Sequence, residues 1–167
     1  MAIYRQKADI LEFTRDQLVS WLAEREIAAY RADQIQKWIY LGQADNFDVM
    51  TDLSKDIRLL LPKHFVIRRL EAEKIETSQD GSRKYLFKLK DGKYIETVLI
   101  PQRDHYTLCV SSQAGCAQDC RFCLTAVGGF ERNLTRGEIV AQARDIKKDL
   151  GDEKPLTNIV FMGMGEP

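Results

Sequence analysis

A chain of 167 residues with 44% hydrophobic and 30% charged content is too apolar for a disordered segment and long enough for one domain or two small ones. Its 25 Lys and Arg balance 25 Asp and Glu, which excludes the global basic field carried by many nucleic-acid binders, so RNA binding cannot be argued from net charge. Residues 1–10 lack an apolar signal core and no run approaches the roughly 18 to 20 apolar residues of a bilayer span. The expectation is a cytoplasmic protein away from membranes, where four cysteines read as ligands or redox groups before they read as disulfides.

Thr14-Arg15-Asp16-Gln17 is a capping box, after which Leu18, Trp21 and Leu22 fall on one helical face. Ala32, Ile35, Trp38 and Ile39 repeat the pattern within residues 31–41. Leu53, Ile57, Leu60 and Leu61 give a third helix after Ser54, which Pro62 is expected to end. Residues 1–62 therefore read as a helical accessory module, either a packing domain with solvated charges or an RNA-contacting one.

From Val66 the texture changes to alternation punctuated by Asp80-Gly81 and Asp91-Gly92, both suited to tight hairpin turns, and residues 63–103 read as a linker with three antiparallel strands. In the last of them Glu96 alternates in phase with Tyr94, Val98 and Ile100, so one carboxylate sits in an apolar row. Burial there would raise its pKa towards the range of a general base; the alternative is a solvated strand glutamate.

Residues 104–167 read as one βαβ unit. A short buried strand over residues 106–111 leads into a loop. Thr135-Arg136-Gly137-Glu138 is a second capping box, and Ile139, Val140, Ala143, Ile146 and Leu150 line one helical face up to Gly151. Residues 157–162 form a continuous apolar run, as in a parallel strand covered on both sides. The fold class is α/β.

The loop is Gly115-Cys116-Ala117-Gln118-Asp119-Cys120-Arg121-Phe122-Cys123, with three of the four cysteines. Thiolates at Cys116, Cys120 and Cys123 can converge on an iron-sulfur cluster or zinc. A closed site needs four protein ligands and this loop supplies three, which leaves a coordination position for a substrate. The other reading is a zinc site completed by Cys109, seven residues upstream in a strand.

C-x3-C-x-F-C resembles the signature of the radical S-adenosylmethionine enzymes. Cys109-Val110-Ser111-Ser112-Gln113, Gly129-Phe130-Glu131-Arg132-Asn133-Leu134 and Phe161-Met162-Gly163-Met164-Gly165-Glu166-Pro167 resemble the RlmN and Cfr family within it, from about Leu18 to the end and densely from Glu96 onward. The resemblance implies the start of a partial radical-SAM (β/α) barrel and methylation of an adenine carbon, C2, in 23S rRNA and tRNA. It implies a 4Fe-4S cluster on Cys116, Cys120 and Cys123, S-adenosyl-L-methionine split to a 5'-deoxyadenosyl radical, and an electron donor such as flavodoxin. Phe122, Gly165 and Glu166 would contact the cofactor, Phe122 alternatively shielding the cluster. Glu96 would accept a proton. Cys109 would close a transient disulfide with a methyl-carrying cysteine, for which it must be accessible and partly ionised; its bland reading is a small buried hydrophobe. None of the four cysteines matches the methyl carrier, so the chain is expected to be the amino-terminal portion of a longer enzyme and inactive in methyl transfer by itself. Two alternatives stand: a zinc-stapled RNA-binding module without chemistry, and a radical enzyme with another substrate.

Overall fold

In the structure, a computed structural model, residues 7–118, 120–151 and 154–167 are described, and the chain divides between Arg68 and Arg69 into two units. Most of residues 1–10, read above for a leader, thus lies outside the described part. No helix among the described residues is long and apolar enough to cross a membrane.

The first unit runs β1 (Ala8–Asp9), a short 3-10 turn, α1 (Arg15–Ala23), α2 (Tyr30–Tyr40), α3 (Lys55–His64) and β2 (Phe65–Val66), with β2 parallel to β1. The capping box forms as read: Thr14 Oγ1 accepts Gln17 N–H at 3.2 Å and Gln17 Oε1 accepts Thr14 N–H at 2.9 Å. Leu18, Leu22, Ala32, Ile35, Ile39, Ile57 and Leu61 are buried, on the faces that the periodicity marks. Pro62 does not end α3, which continues to His64. Proline's own φ is helical and its cost falls on the preceding turn. Burial of Leu61 before it and Phe65 after it offsets that cost, at about 1.5–3 kcal/mol for each such side chain.

The second unit holds β3 (Ala72–Thr77), β4 (Arg83–Lys88), β5 (Tyr94–Pro101), β6 (Tyr106–Cys109), β7 (Gln113–Gly115), α4 (Leu124–Val127), β8 (Phe130–Asn133), α5 (Arg136–Leu150) and β9 (Leu156–Val160). The main sheet has the order β3-β4-β5-β6-β9, antiparallel until β9 joins β6 in parallel, and β7 pairs β8 in a separate hairpin. Residues 63–103 and 104–167 thus contribute strands to one sheet. Both Asp-Gly turns form, with Gly81 and Gly92 at φ +83° and +85°, and Asp80 and Asp91 accepting the N–H groups of Ser82 and Lys93.

One face of the sheet carries Tyr85, Phe87, Ile95, Leu99, Leu108 and Val110 and packs with Ile146 and Leu150 of α5. By alternation the other face carries Lys84, Glu96, Val98, Thr107 and Cys109. Gln142, fully buried on α5, joins helix to sheet: its Oε1 accepts from Thr97 Oγ1 at 2.7 Å and Ser111 N at 2.8 Å, and its Nε2 donates to Ser111 O at 2.9 Å. Instead of being covered on both sides, β9 ends at Val160 and pairs only with β6 among the described residues; Ile159 and Phe161 are about half exposed and Met162 more so.

Candidate functional site

The cysteine loop springs from the β7–β8 hairpin. Gly115, at φ +75°, lies so close to the Gly129 carbonyl that a side chain there would collide with backbone, and Cys116 N–H donates to that carbonyl at 3.1 Å. Further round, Cys123 N–H donates to Cys120 O at 3.0 Å and opens α4. All three thiols are free and partly exposed. The N–H groups of Ala126 and Thr125 and the Thr125 hydroxyl pull the Cys123 thiol below its usual range. The convergence that the spacing allows is not formed, because among the described residues no three Cys, His, Asp or Glu side chains are gathered as a metal-binding group. The donor set still suits a soft metal: three reduced thiols within eight residues, one already biased towards thiolate. Phe122, between two of them, is 92% exposed.

The Gly-Met-Gly-Glu motif after β9 locks onto the chain between β6 and β7. Gly163 N–H donates to Val110 O at 3.1 Å, Met164 N–H to Ser111 Oγ at 2.8 Å, and Met164 O accepts from Ser112 N at 2.9 Å and Gln113 N at 3.1 Å. A Cβ on Gly163 would lie 2.7 Å from Ser111 Oγ, and one on Gly165, at φ +93°, 2.5 Å from the Gln113 side chain. The glycines therefore give close approach to the protein's own chain at residues 110–113. Beside them Ser112 Oγ is buried without a partner, an unused hydroxyl that fits a polar ligand group. Glu166 is exposed, and its carbonyl accepts from Gln113 Nε2 at 3.3 Å. Gln113 also reaches Asn133 Oδ1 at 3.0 Å and Ala117 N at 3.4 Å, so this one side chain touches β8, the motif and the cysteine loop.

Glu96 departs from the burial read in its strand. Its side chain is 41% exposed and pairs with Lys84 Nζ at 3.2 Å, which in turn meets Glu76 at 3.1 Å. The half-buried row of Val98 and Ile100 is the face away from α5, which packs on Ile95, Thr97 and Leu99 instead. Cys109 shares the face of Glu96, opposite Val98 on the neighbouring strand. It is only 7% exposed and burial pushes its thiol up, so in this state it is the buried, protonated thiol and not the accessible, partly ionised one.

The structure thus brings Glu96 and Cys109 to one face and ties Gly165 and Glu166 to the strand that feeds Cys116, while Cys120, Phe122 and Cys123 stand out on the loop. Gln142 was not singled out from the sequence, and Gln113 and Arg132 entered only within the segments that carry the family resemblance, without a role. Gln142 had a signal, since it falls on the same helical face as Ile139 and Ile146 and a polar residue there must be buried with partners. Gln113 and Arg132 act across chain-distant contacts that leave no local pattern.

Residues 8–67 match the profile of the ribosomal RNA large subunit methyltransferase N-terminal domain. The dual-specificity RNA methyltransferase RlmN of Desulfosudis oleivorans is 54% identical over 159 residues, which cover 95% of this chain and 43% of that protein. That of Geotalea uraniireducens is 49% identical over 162 residues, 97% of this chain and 46% of the relative. The crystal structure of a radical SAM methyltransferase from Sphaerobacter thermophilus superposes with a TM-score of 0.82 at 41% identity, over 96% of this chain and 48% of the other. By sequence and by fold nearly the whole chain is similar to RlmN methyltransferases, and it spans less than half the length of the relatives it matches.

Proposed function

We propose that the chain is the cluster-bearing part of a cytoplasmic radical S-adenosylmethionine methyltransferase that methylates C2 of an adenine in 23S rRNA and tRNA. Its second unit would then be the start of a partial (β/α) barrel. The observation that carries the reading is the bonding of residues 163–166 to residues 110–113, which sets the glycine-rich strand end beside the root of the cysteine loop. The names of the relatives support the substrate class.

In this reading Cys116, Cys120 and Cys123 hold a 4Fe-4S cluster. When bound and reduced by a donor such as flavodoxin, it supplies reductive cleavage of S-adenosyl-L-methionine. Phe122 would pack against the bound cofactor or shield the cluster, and Gly165 and Glu166 would offer carbonyl and carboxylate acceptors to the cofactor's amine. Glu96 is partly exposed on the face away from α5, where an RNA base can reach it, and its carboxylate pairs with Lys84. Cys109 requires its cover to open before it can act as a thiolate.

Nucleoside analysis of 23S rRNA and tRNA from a strain lacking the gene tests the assignment. Loss of 2-methyladenine is expected; its persistence rejects the substrate. In the complete enzyme Glu96→Gln is expected to spare 5'-deoxyadenosine formation while slowing methylated product, and unchanged turnover removes Glu96 from the proton step.

A further inference from the structure

The cysteine loop hangs from a hairpin with little hold of its own. β7 and β8 pair over three registers in a sheet separate from the main one, and two-stranded hairpins are marginal in water. Beside the core packing of Ala114 and the adjoining Leu134 and the Leu134 N–H bond to Ser112 O, β8 is tied to neighbouring elements by Arg132. Its Nε donates to Asp91 Oδ2 at 2.6 Å, in the turn between β4 and β5. Its Nη1 and Nη2 donate to Oε2 and Oε1 of Glu138 at 2.8 and 2.9 Å, and Nη1 also reaches Asn133 O at 3.0 Å. Glu138 at the same time closes the capping box of α5, accepting Thr135 N–H at 2.9 Å. The adjacent Glu131 pairs with Lys93, two residues along from Asp91. A forked, charge-assisted contact of this kind fixes orientation as well as distance.

We propose that Arg132 is a positioning residue for the metal centre: by clamping β8 to the β4–β5 turn and to the first turn of α5, it holds the ends of the Cys116–Cys123 loop so that three thiols can gather on a metal. This rests on the reading of those cysteines as ligands. The physical reason is entropic. Residues 116–129 lie between the last paired residues of the hairpin, and with the base fixed, metal binding orders only the loop. With the base freed, it must also close the hairpin. Arg132 is not among the side chains of the buried core, so its removal is expected to loosen the loop and leave the sheet standing.

The probe is cobalt(II) alone, titrated anaerobically into the reduced 167-residue chain and followed by thiolate-to-cobalt charge-transfer absorbance, with circular dichroism on the same samples. Arg132→Met is expected to weaken cobalt binding about tenfold, the lower end of what outer-shell partners of metal sites are worth, with an unchanged dichroism spectrum. Arg132→Lys, which keeps the charge and loses the fork, should fall between. A folded Arg132→Met chain that binds cobalt as the wild type does overturns the proposal. Should Arg132→Met not fold, Asp91→Asn and Glu138→Gln each remove one arm; weakened binding in either supports the clamp, and wild-type affinity in both overturns it. Failure of the ligand reading has its own signature: no charge-transfer band in the wild type, or a band that survives in Cys116→Ala, and the clamp falls with it.

Discussion

At the scale of single residues, Gln142 is a polar group of the second unit that was taken out of water together with its partners. Gln142 satisfies Thr97 and both backbone groups of Ser111, so Gln142→Leu strands three buried groups. At about 1–3 kcal/mol for each stranded group, a loss of roughly 3 kcal/mol or more is expected in urea unfolding followed by circular dichroism. A loss below about 1 kcal/mol would mean that the site relaxes and water replaces the amide. Tyr85 gives a pH signature. Burial, and next the hydrogen bond its hydroxyl donates to Asp149 at 2.8 Å, push its pKa up to about 12. Because the folded value lies above the unfolded one of about 10, its contribution to stability is complete below pH 10 and is lost as pH rises through the folded pKa. Absorbance titration at alkaline pH should show one tyrosine ionising late, and Tyr85→Phe should remove that late step; a Tyr85 that ionises with the exposed tyrosines contradicts the assignment.

At the scale of elements, the Gly-Met-Gly-Glu segment behaves as a packed extension of the sheet, and its glycines are there because Ser111 and Gln113 occupy the space. Gly92 makes the comparison clean, since it has a similar positive φ of +85° with nothing near its missing Cβ. Gly92→Ala should cost only the left-handed strain, about 1–2 kcal/mol. Gly165→Ala should cost that plus overpacking of about 1–3 kcal/mol. Equal losses in unfolding midpoint for the two would show that the close approach at Gly165 is not real. What the sequence made legible at this scale was local: the capping boxes at Thr14 and Thr135 and the Asp-Gly turns are each decided within four residues. Glu96 shows where legibility ended. Alternation placed it correctly with Val98 and Ile100, yet which strand face is covered is decided by α5, some forty residues later, and α5 brought Gln142 to Thr97 on the opposite face. The apolar row misled because Val98 and Ile100 remain half-buried rather than core. The β7–β8 hairpin was hidden for the same reason, its two short strands being joined through the cysteine loop.

At the scale of the whole molecule, the chemistry and the scaffold were unequally visible. Three cysteines at C-x3-C-x2-C point to a soft metal by their spacing, and more than 90% of the chain aligns with RlmN relatives. The structure adds the scaffold: the cysteine loop, the glycine-rich strand end and the Glu96 face all belong to the second unit and meet around residues 109–113. Among the described residues the loop's three thiols are not gathered as a metal-binding group. In the proposed function these three thiols, and not Cys109, hold an iron-sulfur cluster. Anaerobic reconstitution of the chain with iron and sulfide, with iron and sulfide analysis and visible spectroscopy, tests it most directly. The account predicts about four irons per chain and a broad visible absorbance, both lost in Cys116→Ala and retained in Cys109→Ala; a colourless protein that takes up zinc in preference, or a cluster that survives Cys116→Ala, would contradict it.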